Sequence, residues 1–288
     1  MTRVAPTAYV DPQARIGRDV DIAPGCYVGP NVVLGDRCRL LPNVTITGHT
    51  QVGADNLFYP GAVIGCDPQD LKYRGGDTRL VIGDHNVFRE LVTVHRGTED
   101  GGAITQIGSH NQFQVSCHIA HDVLVGDHCV LSNTVQIAGH VAIEDHVNIS
   151  GLVGVQQFVT LGRYAFIAGL TRCTLDVPPY TIFAGYEGAA VSVNEEGLRR
   201  WGFTQEQIDK LWGLYKLLYS KRSDRAGKTI THRIEHAESN GPLSEHERYL
   251  LEFVKRSLND GKCGRYLEAQ RAKKRQQPVF YHHGAAAS

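Results

Sequence analysis

Residues 107–167 read IGSHNQFQVSCHIAHDVLVGDHCVLSNTVQIAGHVAIEDHVNISGLVGVQQFVTLGRYAFI, with an apolar side chain at every sixth position. The series Ile107, Phe113, Ile119, Val125, Leu131, Ile137, Ile143, Ile149, Val155, Leu161 and Ile167 runs without a break. A period of six matches neither the helical turn nor the alternation of a long strand. It suits short strands joined by tight turns, each sending one apolar residue inward, with Gly or Asn easing the turns. Upstream the register holds from Val4 through Val52, then Phe58 and Ile64. It is interrupted, returns at Ile82, Phe88 and Val94, and is interrupted again over HRGTEDGGAITQ, residues 95–106. The expected fold is all-β: a parallel β-helix whose coils stack their aliphatic ladders.

From about residue 195 the pattern becomes helical. Thr204 with Gln207, and Ser244 with Glu247, have the spacing of capping boxes. IDKLWGLYKLLY and HERYLLEFVKRSL follow them with apolar residues at helical spacing, so Trp212 and its Leu neighbours are expected in a core. The expected organisation is a β-helix over 1–194, a helical region over 195–266 and a basic, mobile tail over 267–288. Lys+Arg and Asp+Glu both total 30, so net charge points to neither nucleic acid nor a membrane surface. The charge is divided, however: residues 1–194 carry 12 basic and 18 acidic side chains, and the rest carry 18 and 12. The basic C-terminal part suits an acidic partner or a solvated helical surface. Seven cysteines without a CxxC pair suggest reduced thiols. With no apolar leader and no run of roughly 20 apolar residues, a cytoplasmic protein is expected.

The hexads resemble those of the hexapeptide-repeat acyltransferases, whose coil is a left-handed triangular prism of three hexads. In such a coil, residues 18 apart stack at about one strand spacing, ~4.8 Å. Gly139 then lies over His121, His140 over Asp122, and Gln136 over His118. A histidine beneath a glycine amide suits acyl transfer: the imidazole takes a proton from an attacking hydroxyl, and the Gly139 N–H faces the developing oxyanion. Asp122 would hold the reactive tautomer and stabilise the imidazolium. Two other readings stand beside this one. The polar residues of CHIAHD (117–122) also suit a solvated turn, and His118, His121 and His140 could hold zinc as in γ-class carbonic anhydrases.

Further motifs occur in order: ITGHT (46–50), PQDLKYRG (68–75), VTVHRGT (92–98), CHIAHD, AGHV (138–141), LDVPPY (175–180) and VNEEGLRRWGF (193–203). Together they resemble the UDP-N-acetylglucosamine 3-O-acyltransferase family over nearly the whole chain to about residue 260. The resemblance implies transfer of a 3-hydroxyacyl group from acyl carrier protein to the 3-hydroxyl of UDP-N-acetylglucosamine, the first committed step of lipid A synthesis. It implies no metal or other cofactor, and a homotrimer with sites between subunits. By position, His121 is the base, Asp122 its orienter and Gly139 the oxyanion donor. Asp70 and Lys72 would contact the sugar nucleotide, and His118, His140 and Gln157 would help place the sugar and acyl chain. Asn194, Glu196 and Arg200 would meet the uridine and phosphates of a nucleotide bound largely by another subunit. Gly151 and Gly169, 18 apart, would leave room for a long acyl chain, nearer C14 than C10; alternatively Gly169 only meets a backbone need of its turn. Lys255, Arg256, Lys262 and Arg265 would steer the acidic carrier protein.

The chain departs from the family pattern at three places. Gln156 precedes Gln157-Phe158 where His is frequent, Trp201 follows Arg199-Arg200 where a basic residue is frequent, and Glu187 stands where His is common. The rival functions are the N-acyltransferase of the same pathway, the metal-dependent anhydrase and a catalytically silent β-helical scaffold.

Overall fold

The computed structural model describes residues 1–219 and 229–259. Strands of mostly two residues recur along the chain, and every third one joins the same sheet. Three sheets result, of eleven, nine and eight strands, parallel throughout the prism and here called faces one, two and three in the order in which the chain visits them. Face two, for example, stacks the strands His118–Ile119, Gln136–Ile137, Gly154–Val155 and Arg172–Cys173. From Asp21–Ile22 onward, each two-residue strand turns one side chain out and sends its apolar neighbour into a single buried ladder that runs from Val20 to Phe183. Phe58, Phe88 and Phe113 stack inside it at 4.9 and 4.8 Å. The hexad period is the geometry of a three-sided coil.

At the edges the chain turns through a residue with φ near +60°, and most of these are not glycine: Ser116, Asp122, His128, Thr134, His140, His146, Leu152, Phe158, Tyr164 and Leu170 among them. That conformation is unfavourable for a side chain. Hydrogen bonds between coils offset the cost, as where the His140 N–H donates to the His121 carbonyl at 3.1 Å and the Leu170 N–H to that of Gly151 at 3.1 Å. Buried Asn56, Asn86 and Asn111 form a ladder of their own: each side-chain oxygen accepts the main-chain N–H one coil on.

The two interruptions of the hexads share one location. Residues paired between neighbouring coils of face two are 18 apart at His118–Gln136, but 30 apart at Val63–Thr93 and 25 apart at Thr93–His118. Both insertions therefore leave the prism between faces two and three, on successive coils. His121 and Asp122 occupy the same edge on the next coil.

An antiparallel hairpin, Thr181–Ala184 with Ala189–Val193, extends face one at the C-terminal end of the prism. Helices α1 (Glu195–Arg200), α2 (Gln205–Tyr219), α3 (Ile230–Ser239) and α4 (Glu245–Asn259) follow. Both capping boxes form, with reciprocal bonds between Thr204 and Gln207 and between Ser244 and Glu247. Ile208, Leu211, Leu214, Leu250 and Leu251 build a second core, and Trp212 packs on its margin. A polar cluster ties α4 to the prism: Tyr249 Oη donates to Glu144 at 2.7 Å, and the Arg163 guanidinium lies 3.5 Å over the Tyr249 ring and donates to Tyr180 Oη at 2.8 Å. Among the described residues, six cysteines are free thiols. No described helix is long and apolar enough to cross a membrane.

Candidate active site

The edge between faces two and three gathers CHIAHD, AGHV and both insertions. His121 and Asp122 are 5% and 6% exposed, far too buried for a solvated turn. His121 Nδ1 donates to Asp122 Oδ2 at 2.8 Å. A carboxylate can only accept, so this bond places the proton on Nδ1 and leaves the Nε2 lone pair free to take another. Burial alone would raise the Asp122 pKa. The bonds from His121, from the Thr98 hydroxyl (2.6 Å) and from the Thr98 N–H (2.9 Å), with nearby His140, outweigh burial and hold it below the usual carboxyl value. Asp122 is therefore ionised near neutrality.

Gly139 lies against the imidazole as the 18-residue column requires. A methyl group built on it would come within 2.5 Å of the His121 ring, so any side chain here displaces that ring. The glycine is needed for this approach and not for its own φ, because His140 takes the left-handed turn. Among the described residues nothing accepts the Gly139 N–H, and it is available to a developing oxyanion. His140 meets the His121 ring edge-on at 5.1 Å, has Nδ1 3.8 Å from Asp122, and stacks on Phe158 at 4.5 Å. Gln157, next in the His121–Gly139 column, has a buried side-chain oxygen without a partner, an acceptor left for a ligand.

The first insertion folds down over this edge. Asp70 Oδ2 lies 4.0 Å from His121 Nε2, while Oδ1 accepts the Lys72 N–H at 2.9 Å. Asp70 thus reaches the edge that carries His121. On face two, His118 pairs with Gln136 in register, and its Nδ1 is 2.7 Å from Thr93 Oγ1. Burial and the neighbouring His121 lower the His118 pKa; buried His95, edge-on beneath it at 4.8 Å, is brought down to about 4 by burial and by His118 and His121. These two rings stay neutral around His121.

Several participants escape the hexad arithmetic. Thr98 clamps Asp122 from the second insertion, and Thr105 Oγ1 accepts the Asp122 N–H at 2.8 Å. Arg96, nearly buried, holds the first insertion through Asp67 and through Tyr73 Oη at 3.0 Å. The signal that could have found them is the place of the insertions, which hexad counting assigns to the His121 edge.

The expected zinc set is not the one that converges. His121, Asp122 and His140, and not His118, direct ligand atoms within 4.8 Å of one another.

Asn194, Glu196 and Arg200 lie elsewhere. Asn194 caps α1, accepting from the Gly197 N–H and donating to the Tyr164 carbonyl at 2.9 Å, on the edge between faces three and one. Glu196 and Arg200 pair on the exposed side of α1 at 3.1 Å. Trp201, at the end of α1, leans on His146 and His128 of that edge at 4.1 and 5.4 Å. Within one chain, these residues and His121 occupy different edges of the prism. Gly151 and Gly169 stack on the remaining edge, between faces one and two. Neither has a left-handed φ, because Leu152 and Leu170 take it, and a Cβ at 169 would meet Gly151 O at 3.4 Å and Ser150 Cβ at 3.8 Å, both ordinary contacts. The turn does not require glycine at 169.

Of the four basic residues expected to steer a carrier protein, Lys255 pairs with Glu238, and Arg256 lies 3.5 Å from Glu144. Both charges are spent within the chain. Lys262, Arg265 and the tail over 267–288 lie outside the described residues. Glu187, in the turn of the hairpin, is exposed.

Residues 176–263 match the family model described as UDP-N-acetylglucosamine O-acyltransferase, domain 2. Crystal structures extend the likeness to the prism. LpxA of Bacteroides fragilis, a UDP-N-acetylglucosamine acyltransferase, is 37% identical, with 88% of this chain and 97% of that one covered and a TM-score of 0.84. LpxA of Acinetobacter baumannii is 38% identical over 88% and 96% of the two chains, with a TM-score of 0.83. The Arabidopsis UDP-N-acetylglucosamine acyltransferase is 30% identical over 91% and 99%, with a TM-score of 0.80. The left-handed sense of the β-helix is common to this chain and these neighbours.

Proposed function

Because the chain belongs to the UDP-N-acetylglucosamine acyltransferase family, we propose that it moves a 3-hydroxyacyl group from acyl carrier protein to the glucosamine 3-hydroxyl of UDP-N-acetylglucosamine, the entry to lipid A. The observation that carries the mechanism is the buried His121–Asp122 pair beneath the free Gly139 N–H. His121 Nε2 takes the proton of the sugar hydroxyl as its oxygen attacks the thioester carbonyl. Negative charge gathers on the carbonyl oxygen and is met by the Gly139 N–H. The C–S bond breaks, and His121 returns the proton to the departing thiolate. Asp122, ionised and fixed by Thr98, stabilises the imidazolium between the two transfers. Asp70, 4.0 Å from Nε2, and Gln157, with its unpartnered oxygen, suit hydroxyls of the bound sugar. Lys72 suits the diphosphate as a point charge.

The same reading includes a C3 homotrimer. Asn194, Glu196 and Arg200 stand on a different edge of the prism from His121, so one nucleotide can meet both groups only where two subunits adjoin. Incubating the purified chain with UDP-N-acetylglucosamine and a 3-hydroxyacyl carrier-protein thioester should give the O-acylated nucleotide by mass spectrometry. Light scattering should give three times the chain mass. Failure to acylate, or hydration of carbon dioxide in its place, would overturn the proposal, and an active monomer would overturn the shared site.

A further inference from the structure

Face two carries a groove of about 480 Å³ that begins at His118 and Ala120, beside His121, and climbs over Ala138 and Gly154 to Arg172. Below His118 the next coil presents Thr93, bonded to it, and buried His95. The groove's middle is open: nothing lies within 4 Å of a methyl group built on Gly154, although the coils above and below present Arg172 and Gln136 at the same register. Its upper end is a cation. Among the described residues the Arg172 guanidinium has no hydrogen bond, ion pair or ring contact, whereas Arg163, Arg199 and Arg200 beyond the groove are all engaged. An unpaired guanidinium at the end of a groove is suited to an anion of the ligand that fills it.

We infer that Arg172 binds the phosphodiester of the donor's pantetheine arm, an inference that rests on the acyl-transfer reading above. Three coil steps separate His118 from Arg172, ~14 Å at one strand spacing each. From sulfur to phosphorus, the pantetheine arm is equivalent to about four extended residues, again ~14 Å. With the thioester carbonyl between His121 and Gly139, the arm can follow this groove along face two. Its amides then pass Gln136 and Gln156, and its phosphate reaches Arg172. An acyl chain laid on the same path would end its apolar tail against an unneutralised charge, an unfavourable contact.

Two small donors that differ only in the phosphate, a 3-hydroxyacyl phosphopantetheine and the corresponding acyl pantetheine, isolate this contact. The wild-type protein should prefer the phosphorylated donor about tenfold in kcat/KM, the difference residing in KM. In Arg172→Gln the two donors should become equal, and KM for UDP-N-acetylglucosamine should stay at the wild-type value. Arg172→Lys should retain part of the preference. Persistence of the preference in Arg172→Gln would overturn the assignment. A raised KM for the nucleotide would instead give Arg172 to the diphosphate, and a changed acyl-length profile would make it a chain stop; either overturns the inference. If the wild-type protein used neither donor nor the carrier-protein thioester, the acyl-transfer reading itself would fail.

Discussion

Two edges of the prism carry histidine on the same kind of backbone, with opposite consequences. Between faces three and one, His85, His110, His128 and His146 all have φ near +60° and stack ring on ring at 4.8, 4.8 and 5.1 Å, within 10° of parallel. Between faces two and three, Asp122 and His140 take that corner position, and His121 precedes it by one residue. The first edge is regular because each coil repeats the last. The second is irregular because two insertions enter there and supply Thr98 and Asp70. A stacked imidazole has rings above and below it, with Trp201 against His128 and His146. His121 has a carboxylate on one nitrogen, a free lone pair on the other and a glycine against its face. Neighbouring groups, not the histidine or its corner, distinguish the reactive edge.

The comparison is most severely broken by filling the space beside the base. Gly139→Val should fold, since its φ is ordinary, but the side chain must push the His121 ring away. Transfer should fall about 10²–10³-fold, as when an oxyanion contact is lost. Wild-type rates in a folded Gly139→Val would show that the base does not sit where the glycine admits it.

Removing the charge that sets His121 apart should cost less. Asp122→Asn is expected to lower kcat roughly 10²-fold. The variant also has a signature in stability. Asp122 titrates below 3.8 in the folded chain, so its stabilising contribution is complete above that value and is lost as pH falls through the lowered folded one. Thermal melts across the acid range should therefore be less steeply pH-dependent in Asp122→Asn than in the wild-type protein. Parallel acid limbs would mean that the carboxylate is not held in its ionised form by folding.

The third edge offers a test of specificity without chemistry. A Cβ at 169 makes ordinary contacts with Gly151 O at 3.4 Å and Ser150 Cβ at 3.8 Å, so Gly169→Met should fold. If the acyl chain passes this edge, the variant should favour donors a few carbons shorter, each excluded CH₂ being worth about 0.8 kcal/mol. An unchanged length profile in an active variant would move the stop elsewhere. The smallest effect belongs to the ladder: His128→Ala loses a stacked contact on each side and an edge contact with Trp201, about 1 kcal/mol, and should lower Tm by a few degrees with activity within about twofold. A large activity loss there would erase the distinction between the two edges.

Much of this was legible in the sequence because a period of six is rigid arithmetic. It fixed which residues are inward and which lie 18 apart, and so placed Gly139 over His121 and His140 over Asp122 before any coordinate was known. The capping boxes were equally local. What escaped were contacts that arithmetic cannot reach. Thr98 lies in an insertion that breaks the register, and the pairing of Lys255 and Arg256 with Glu238 and Glu144 depends on how α4 packs across the chain. The free state of Arg172 is likewise a property of its surroundings, and nothing in the string TRCTLD announces it.

The central claim is that His121 is the base, and His121→Ala tests it most directly. Transfer of a 3-hydroxyacyl group from carrier protein to UDP-N-acetylglucosamine should be followed in wild type and variant, with melting temperature and particle mass measured on the same samples. The account predicts at least ~10³-fold less product from a protein of unchanged mass and near-unchanged Tm. Product formed at the wild-type rate by a folded His121→Ala protein would contradict it.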